Sequence, residues 1–360
     1  MNYLLRNCRQ VLLVSFLFVV QSVECQNVFV GSNAMLGHVL CNNTEARNYI
    51  NSPSCGLSFY VGNTCSGNEY WEYFWKNPSM GLEFSFDYID NSITGNRFGA
   101  LLFFRPSVYK AERMSVDVYM ALGLSYLTKT HHTTFNPHNS YIGSHVNALI
   151  NIGGLFNYFL SKHFALWTAV KFSHSSNGQL VRPNKGLNFV QLEMGGEYYL
   201  QGYNYNVVPV DKFVPYKNSI NVSLSPALSQ SKYDSQYYPG ACLAVAYSRN
   251  FHPCFSYGLS CDFMYNGTNI TSSSSKGLLS ENFSSGLAAT FECRLANFAL
   301  RVALGGYLWH GEYQKLPIYE RAGLFYYLGK DNSQYVGVSI KAHAATAEYI
   351  EWTYGFSLGC

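Results

Sequence analysis

The sequence predicts an all-β protein, a transmembrane antiparallel up-and-down β-barrel of about fourteen strands, with twelve to sixteen fitting the pattern. Three observations predict it. Only 12% of the 360 residues are charged, against 48% hydrophobic and 17% aromatic, with 30 Tyr and 25 Phe. A soluble chain carries about 25% charged residues. Apolar and polar residues alternate over many segments, several of them ten or more residues long, enough to cross a bilayer at a tilt. After the N-terminus no apolar run reaches the roughly 18 residues of a membrane helix. The formal net charge of +3 is too small to call for nucleic acid as a partner. The chain is too apolar for intrinsic disorder.

In chain order, residues 1–25 read as a secretory signal. Arg6 and Arg9 precede the apolar run 11–20, and short residues follow up to a cleavage point near Cys25/Gln26. The run is about half a membrane span, so it is no anchor. Residues 26–360 read as a single barrel domain without a linker, with 41–79 as a loop or partial plug. Strands show as period-two alternation. Leu82, Phe84, Phe86 and Tyr88 alternate with Glu83, Ser85 and Asp87, and Val116, Val118, Met120, Leu122 and Leu124 with Asp117 and Ser125. The pattern recurs at 146–158, 220–225, 300–305, 336–341 and 351–358. Segment 128–143, with His131, His132 and His138, reads as a long loop. The Ser run 272–275 and the sequon at 42–44 read as loop sequence.

Two of the ten cysteines fall in the leader. Export permits disulfides, and Cys41, Cys55 and Cys65 cluster closely enough for one bridge. Cys261, Cys293 and Cys360 fall in phase with apolar neighbours and read as small outward hydrophobes. No Cys-x-x-Cys spacing, nucleotide loop or metal set appears, so no cofactor is expected. Glu193, Glu197, Glu292, Arg294 and Arg301 have lumenal parity and read as polar networks inside the barrel.

The informative pair of strands is 166–176 and its successor. Leu166, Val170 and Phe172 share one face, and Val190, Leu192 and Met194 share the same face on the next strand. Continuing the period puts His174, Ser176 and Asn188 on that lipid side, at the rim. A serine beside a histidine beside a hydrogen-bonding orienter is the minimum set for a serine hydrolase. Lys171 and Gln191 fall on the lumenal side, where parity alone expects other polar residues to be tolerated.

The stretch from His174-Ser175-Ser176-Asn177-Gly178 to Pro183-Asn184-Lys185-Gly186-Leu187-Asn188 resembles the signature of the outer-membrane lipid A 3-O-deacylases. It is especially similar to their larger Bacteroidetes-type relatives, the acyloxyacyl hydrolases. Segments 75–81, 123–129, 142–145, 341–343 and 348–352 also resemble those relatives. The resemblance implies Ser176 as nucleophile, His174 as general base and Asn188 as third member, where the simpler deacylases carry Glu. It implies Asn177 and Gly178 at the oxyanion site. It further implies a bacterial outer-membrane location and lipid A or lipopolysaccharide as substrate, leaving the oligomeric state open. A phospholipase, or a non-catalytic barrel acting as pore, adhesin or scaffold, is the alternative expectation.

Overall fold

The computed structural model describes residues 27–40, 52–211, 218–230, 236–268, 279–311, 316–329, 331–344 and 346–359. The leader, Cys41, Cys360, the 42–44 sequon and the Ser run 272–275 lie outside them.

The first half builds β1 (Val28–Leu40), β2 (Pro53–Thr64), β3 (Ser79–Ile89), β4 (Arg97–Arg105), β5 (Ser107–Lys110), β6 (Met114–Leu127), β7 (Val146–Phe159), β8 (Phe164–Ser176) and β9 (Leu187–Tyr199). Each pairs antiparallel with its neighbour in the ring β4-β3-β2-β1-β9-β8-β7-β6, and a β4–β6 pairing closes it. β5 continues β4 past Pro106 and also lies on β6. Proline has no N–H to give the ladder, so it interrupts the strand there. The second half builds β10 (Asn218–Gln230), β11 (Tyr237–His252), β12 (Phe255–Asn266), β13 (Phe283–Leu295), β14 (Phe298–His310), β15 (Ile318–Leu328), β16 (Gln334–His343) and β17 (Thr346–Gly359). These close as a second barrel, β17 returning to β10.

The all-β, antiparallel up-and-down architecture stands as the sequence predicts. The strands close differently, as two rings of eight joined through residues 200–217, rather than one ring of about fourteen. Alternation reports the faces of each strand but not where a ring closes, because a hairpin has the same period in either ring. Segment 41–79 also differs from expectation over its described part. β2 is a wall strand, with Leu57, Phe59 and Val61 outward, and a short helix α1 (Tyr70–Phe74) follows it. Cys55 and Cys65, near opposite ends of β2, are both free thiols. At about 3.3 Å per residue they are far beyond disulfide reach.

The barrels touch at both ends. α1 reaches the β11–β12 turn, where Phe74 lies 4.6 Å from His252 and 5.5 Å from Phe255, ring centre to ring centre. Tyr70 Oη lies 3.3 Å from His252 Nε2. At the opposite end the β8–β9 loop meets β10 and β17, as described below.

The faces follow parity. Phe172 is 40% exposed and Val190 42%, while Lys171 is 1% and Gln191 2%. The lumens are filled by paired charges. In the first barrel Lys171 Nζ lies 2.7 Å from Glu193 Oε2 and 3.8 Å from Glu83 Oε2, and Arg105 pairs with Glu197. In the second, Glu292 takes Arg294 and Arg301 at 2.9 and 2.7 Å, and Asp262 takes Arg321. The interior networks expected from parity are therefore present. The tolerance expected at Lys171 and Gln191 is not supported. Lys171 lies between two buried carboxylates, and Gln191 Nε2 donates to Asp87 Oδ1 at 2.7 Å.

Two kinds of substitution on these two strands should therefore fail for different reasons. Phe172→Arg and Val190→Arg place a charge in lipid and should cost about 2–4 kcal/mol near the midplane. Lys171→Gln leaves Glu83 and Glu193 uncompensated and should cost about 3–5 kcal/mol. Urea unfolding of the refolded protein in vesicles reads both. Wild-type stability in Lys171→Gln would show that the lumenal ion pairs contribute nothing.

Candidate active site

β8 and β9 pair with His174 opposite Asn188, and directly opposed residues on one face are within side-chain reach. His174 Nδ1 donates to Asn188 Oδ1 at 2.6 Å. An amide oxygen only accepts, so this contact fixes the ring proton on Nδ1 and leaves the Nε2 lone pair free. Ser176 follows two residues on, on the same face. It is 7% exposed, and its Oγ has no hydrogen-bond partner among the described residues.

The lumenal side holds this strand end in place. Arg97 Nη1 donates to Ser173 Oγ at 2.8 Å and Ser175 Oγ at 3.2 Å, the two residues flanking His174. Arg97 is in turn paired with Asp87 at 3.0 Å and stacked over Phe189, next to Asn188, at 4.2 Å. His174 and Asn188 face outward while their sequence neighbours are anchored inside.

The loop 177–186 covers the site. Asn177 N–H donates to Asn184 Oδ1 at 3.0 Å, and its Nδ2 donates to Ser144 Oγ and Val181 O, both at 2.8 Å. The donors of Asn177, expected at the oxyanion site, are thus engaged in holding the loop. The Gly178 N–H and the Asn184 Nδ2 have no partner among the described residues. Gly178 has φ +60°, and a Cβ there would lie 2.4 Å from Ile350 Cγ1 on β17 of the second barrel. Gly186 has φ +76°, and its missing Cβ would lie 2.5 Å from His174 Cε1. The histidine ring therefore rests where only glycine leaves room.

Ser144, Asn184, Gly186 and Ile350 are site residues that sequence reasoning did not assign. The Pro183-Asn184-Lys185-Gly186 spacing carried a signal for two of them. Ser144 carried no signal of its own in the sequence. Its actual role is to bridge from the β6–β7 loop to Asn177. That loop and 177–186 are joined by a bridge between Ile142 and Asn184 and by Gly186 N–H to Tyr141 O at 3.3 Å. Among the described residues no three His, Cys, Asp or Glu side chains gather as a metal set, so His131 and His132 have no metal-binding company there.

Gly186→Ala should displace the His174 ring while leaving both barrels folded. A displacement of about 1 Å at a reacting group is worth about a hundredfold in rate. Labelling of Ser176 by a fluorophosphonate should slow by that order, with heat-modifiable migration unchanged. Unaltered labelling would mean that the ring position does not govern Ser176.

Residues 55–197 match the family model "Lipid A 3-O-deacylase (PagL)", and residues 218–359 match "Acyloxyacyl hydrolase, C-terminal domain". Among curated proteins none matches the chain. Solved structures that align with the chain include Neisserial surface protein A, at 9% identity over 48% of this chain and 96% of that one, TM-score 0.34. The outer-membrane enzyme PagL aligns at 13% identity over 46% and 97%, TM-score 0.32. A Rh. blastica porin aligns at 10% identity over 92% and 99%, TM-score 0.22. Likenesses this distant carry no argument about function. The two family models between them take in both barrels, each within its own ring, so the first barrel is similar to the lipid A 3-O-deacylases and the second to the acyloxyacyl hydrolase C-terminal domain.

Proposed function

We propose that this chain is an outer-membrane hydrolase that removes an ester-linked acyl chain from lipid A or lipopolysaccharide, with Ser176 as nucleophile, His174 as general base and Asn188 as orienter. The observation that carries the reading is the 2.6 Å contact from His174 Nδ1 to Asn188 Oδ1, on the lipid-facing side of a barrel similar to the deacylases. A hydrolytic group aimed at the acyl layer from the wall of a barrel suits a substrate that stays in the membrane.

The chemistry follows from the free Nε2. Ser176 Oγ attacks the ester carbonyl carbon while its proton passes to His174 Nε2. The oxyanion then formed is stabilised by the Gly178 N–H and the Asn184 Nδ2, the two uncommitted donors of the covering loop. As the intermediate collapses, the bond to the sugar oxygen breaks, and His174 returns its proton to that oxygen. Water then hydrolyses the acyl-serine with His174 again taking the proton. Asn188 holds the ring in the required tautomer but adds no negative charge beside the imidazolium, unlike the Glu of the simpler deacylases.

Fatty acid released from purified lipopolysaccharide and from phospholipid, followed by mass spectrometry, tests the reading. Release should come from lipopolysaccharide. Ser176→Ala and His174→Ala should each abolish it without loss of barrel folding, and Asn188→Ala should slow it about tenfold or more. Asn188→Glu should raise the rate by restoring a charged orienter. Full activity in Ser176→Ala would remove the mechanism. A wild type that releases nothing from any ester lipid would move the chain to the non-catalytic barrels, and release from phospholipid alone would make it a phospholipase.

A further inference from the structure

We propose that Arg182, oriented by Gln230 of the second barrel, forms with Lys185 an anion subsite at the rim of the active site, binding a phosphate on the headgroup of the lipid substrate. This deepens the hydrolase reading and rests on it.

Arg182 lies on the loop that covers Ser176. Its backbone N–H donates to Gln230 Oε1 at 3.1 Å, and its Nε donates to Gln230 O at 3.2 Å. Both contacts come from the end of β10, the strand that pairs with β17 at Leu228 and Ile350. Ile350 is also the residue that packs over Gly178. The second barrel therefore fixes the covering loop at two points, four residues apart, and sets the plane of the guanidinium. Its two Nη groups have no partner among the described residues.

The surrounding charges point to what those groups face. The lumenal arginines Arg97, Arg105, Arg294, Arg301 and Arg321 each pair with a carboxylate. Arg182 makes no such pair among the described residues, although burial lowers its pKa. The joined loops 128–145 and 177–186 contain Lys129, Arg182 and Lys185 and no Asp or Glu. Lys185 is exposed and stands 5.7 Å from the Tyr141 ring centre. A guanidinium held at Nε by one hydrogen bond, on a loop whose backbone is held by a second, with its fork free and no carboxylate paired with it among the described residues, matches a tetrahedral oxyanion in charge and geometry. At a membrane surface the oxyanion that accompanies acyl chains is a headgroup phosphate.

The test uses the full chain refolded in detergent and three substrates: a phosphorylated glycolipid, the same lipid with its phosphates removed, and a neutral short-chain ester. Arg182→Ala should raise KM for the phosphorylated lipid about tenfold or more, with kcat near wild type. It should leave the other two substrates unchanged. Gln230→Ala removes the acceptor of the Arg182 backbone N–H while keeping the carbonyl that takes Nε, so it should raise the same KM by a smaller factor and add little in the Arg182→Ala background. Gln230→Glu, which keeps the acceptor but brings a competing carboxylate to Arg182, should also raise KM selectively. Inorganic phosphate separates the sources of the anion: it should compete only weakly, lacking acyl chains. Tight competition would make a free ion the ligand and overturn the headgroup assignment. Equal KM rises on both lipids, additive effects of Arg182→Ala and Gln230→Ala, or no rise at all would overturn the subsite. The parent reading fails separately, through an inactive wild type or an active Ser176→Ala.

Discussion

In a lipid environment each unsatisfied backbone N–H or C=O costs several kcal/mol. A sheet there must close on itself, and its side chains must divide strictly between lumen and lipid. Everything else in this protein depends on that division. Eight strands enclose a space just wide enough for side chains to fill. Two rings of eight can therefore be packed with ion pairs and tyrosines, whereas a wider single ring encloses water. Lys171 between Glu83 and Glu193, Arg97 against Asp87, and Arg321 against Asp262 are the packing that this diameter requires.

The same division places the groups of the proposed site. His174, Ser176 and Asn188 take the lipid face because of their parity, and the residues between them take the lumen. Ser173 and Ser175 reach inward to Arg97, and Phe189 stacks on it. The lumenal charge network thus serves two ends. It fills the barrel, and it holds the strand termini whose outward side chains form the site. Placing such a set on strands rather than on a loop gives it rigidity, and the loop contributes donors and cover.

The second barrel enters the site from outside the ring. Ile350 occupies the space over Gly178, and Gln230 accepts two hydrogen bonds from Arg182. At the far end, α1 of the first barrel packs on His252 and Phe255. Contacts at both ends restrain rotation of one barrel against the other better than a single contact would. The covering loop is consequently shaped by both halves of the chain.

The sequence by itself determined the class of fold and most of what each strand does. Period-two alternation with scarce charge is a local property, so outward Phe172 and Val190 and inward Lys171 and Gln191 were legible without coordinates. So were the shared face of His174, Ser176 and Asn188, which follows from parity on adjacent strands, and the lumenal place of Glu193, Glu292 and Arg301. Only the tertiary structure decided where the rings close. Closure joins β1 to β9 and β10 to β17 across long stretches of chain, and alternation is identical in one ring or two. Only the structure decided that Asn177 holds the loop together while the Gly178 and Asn184 donors stay free, since hydrogen-bond partners such as Ser144 come from another loop. Gln230 and Ile350 were invisible for the same physical reason: their relation to Arg182 and Gly178 is contact between two separately closed sheets, and no local period records it.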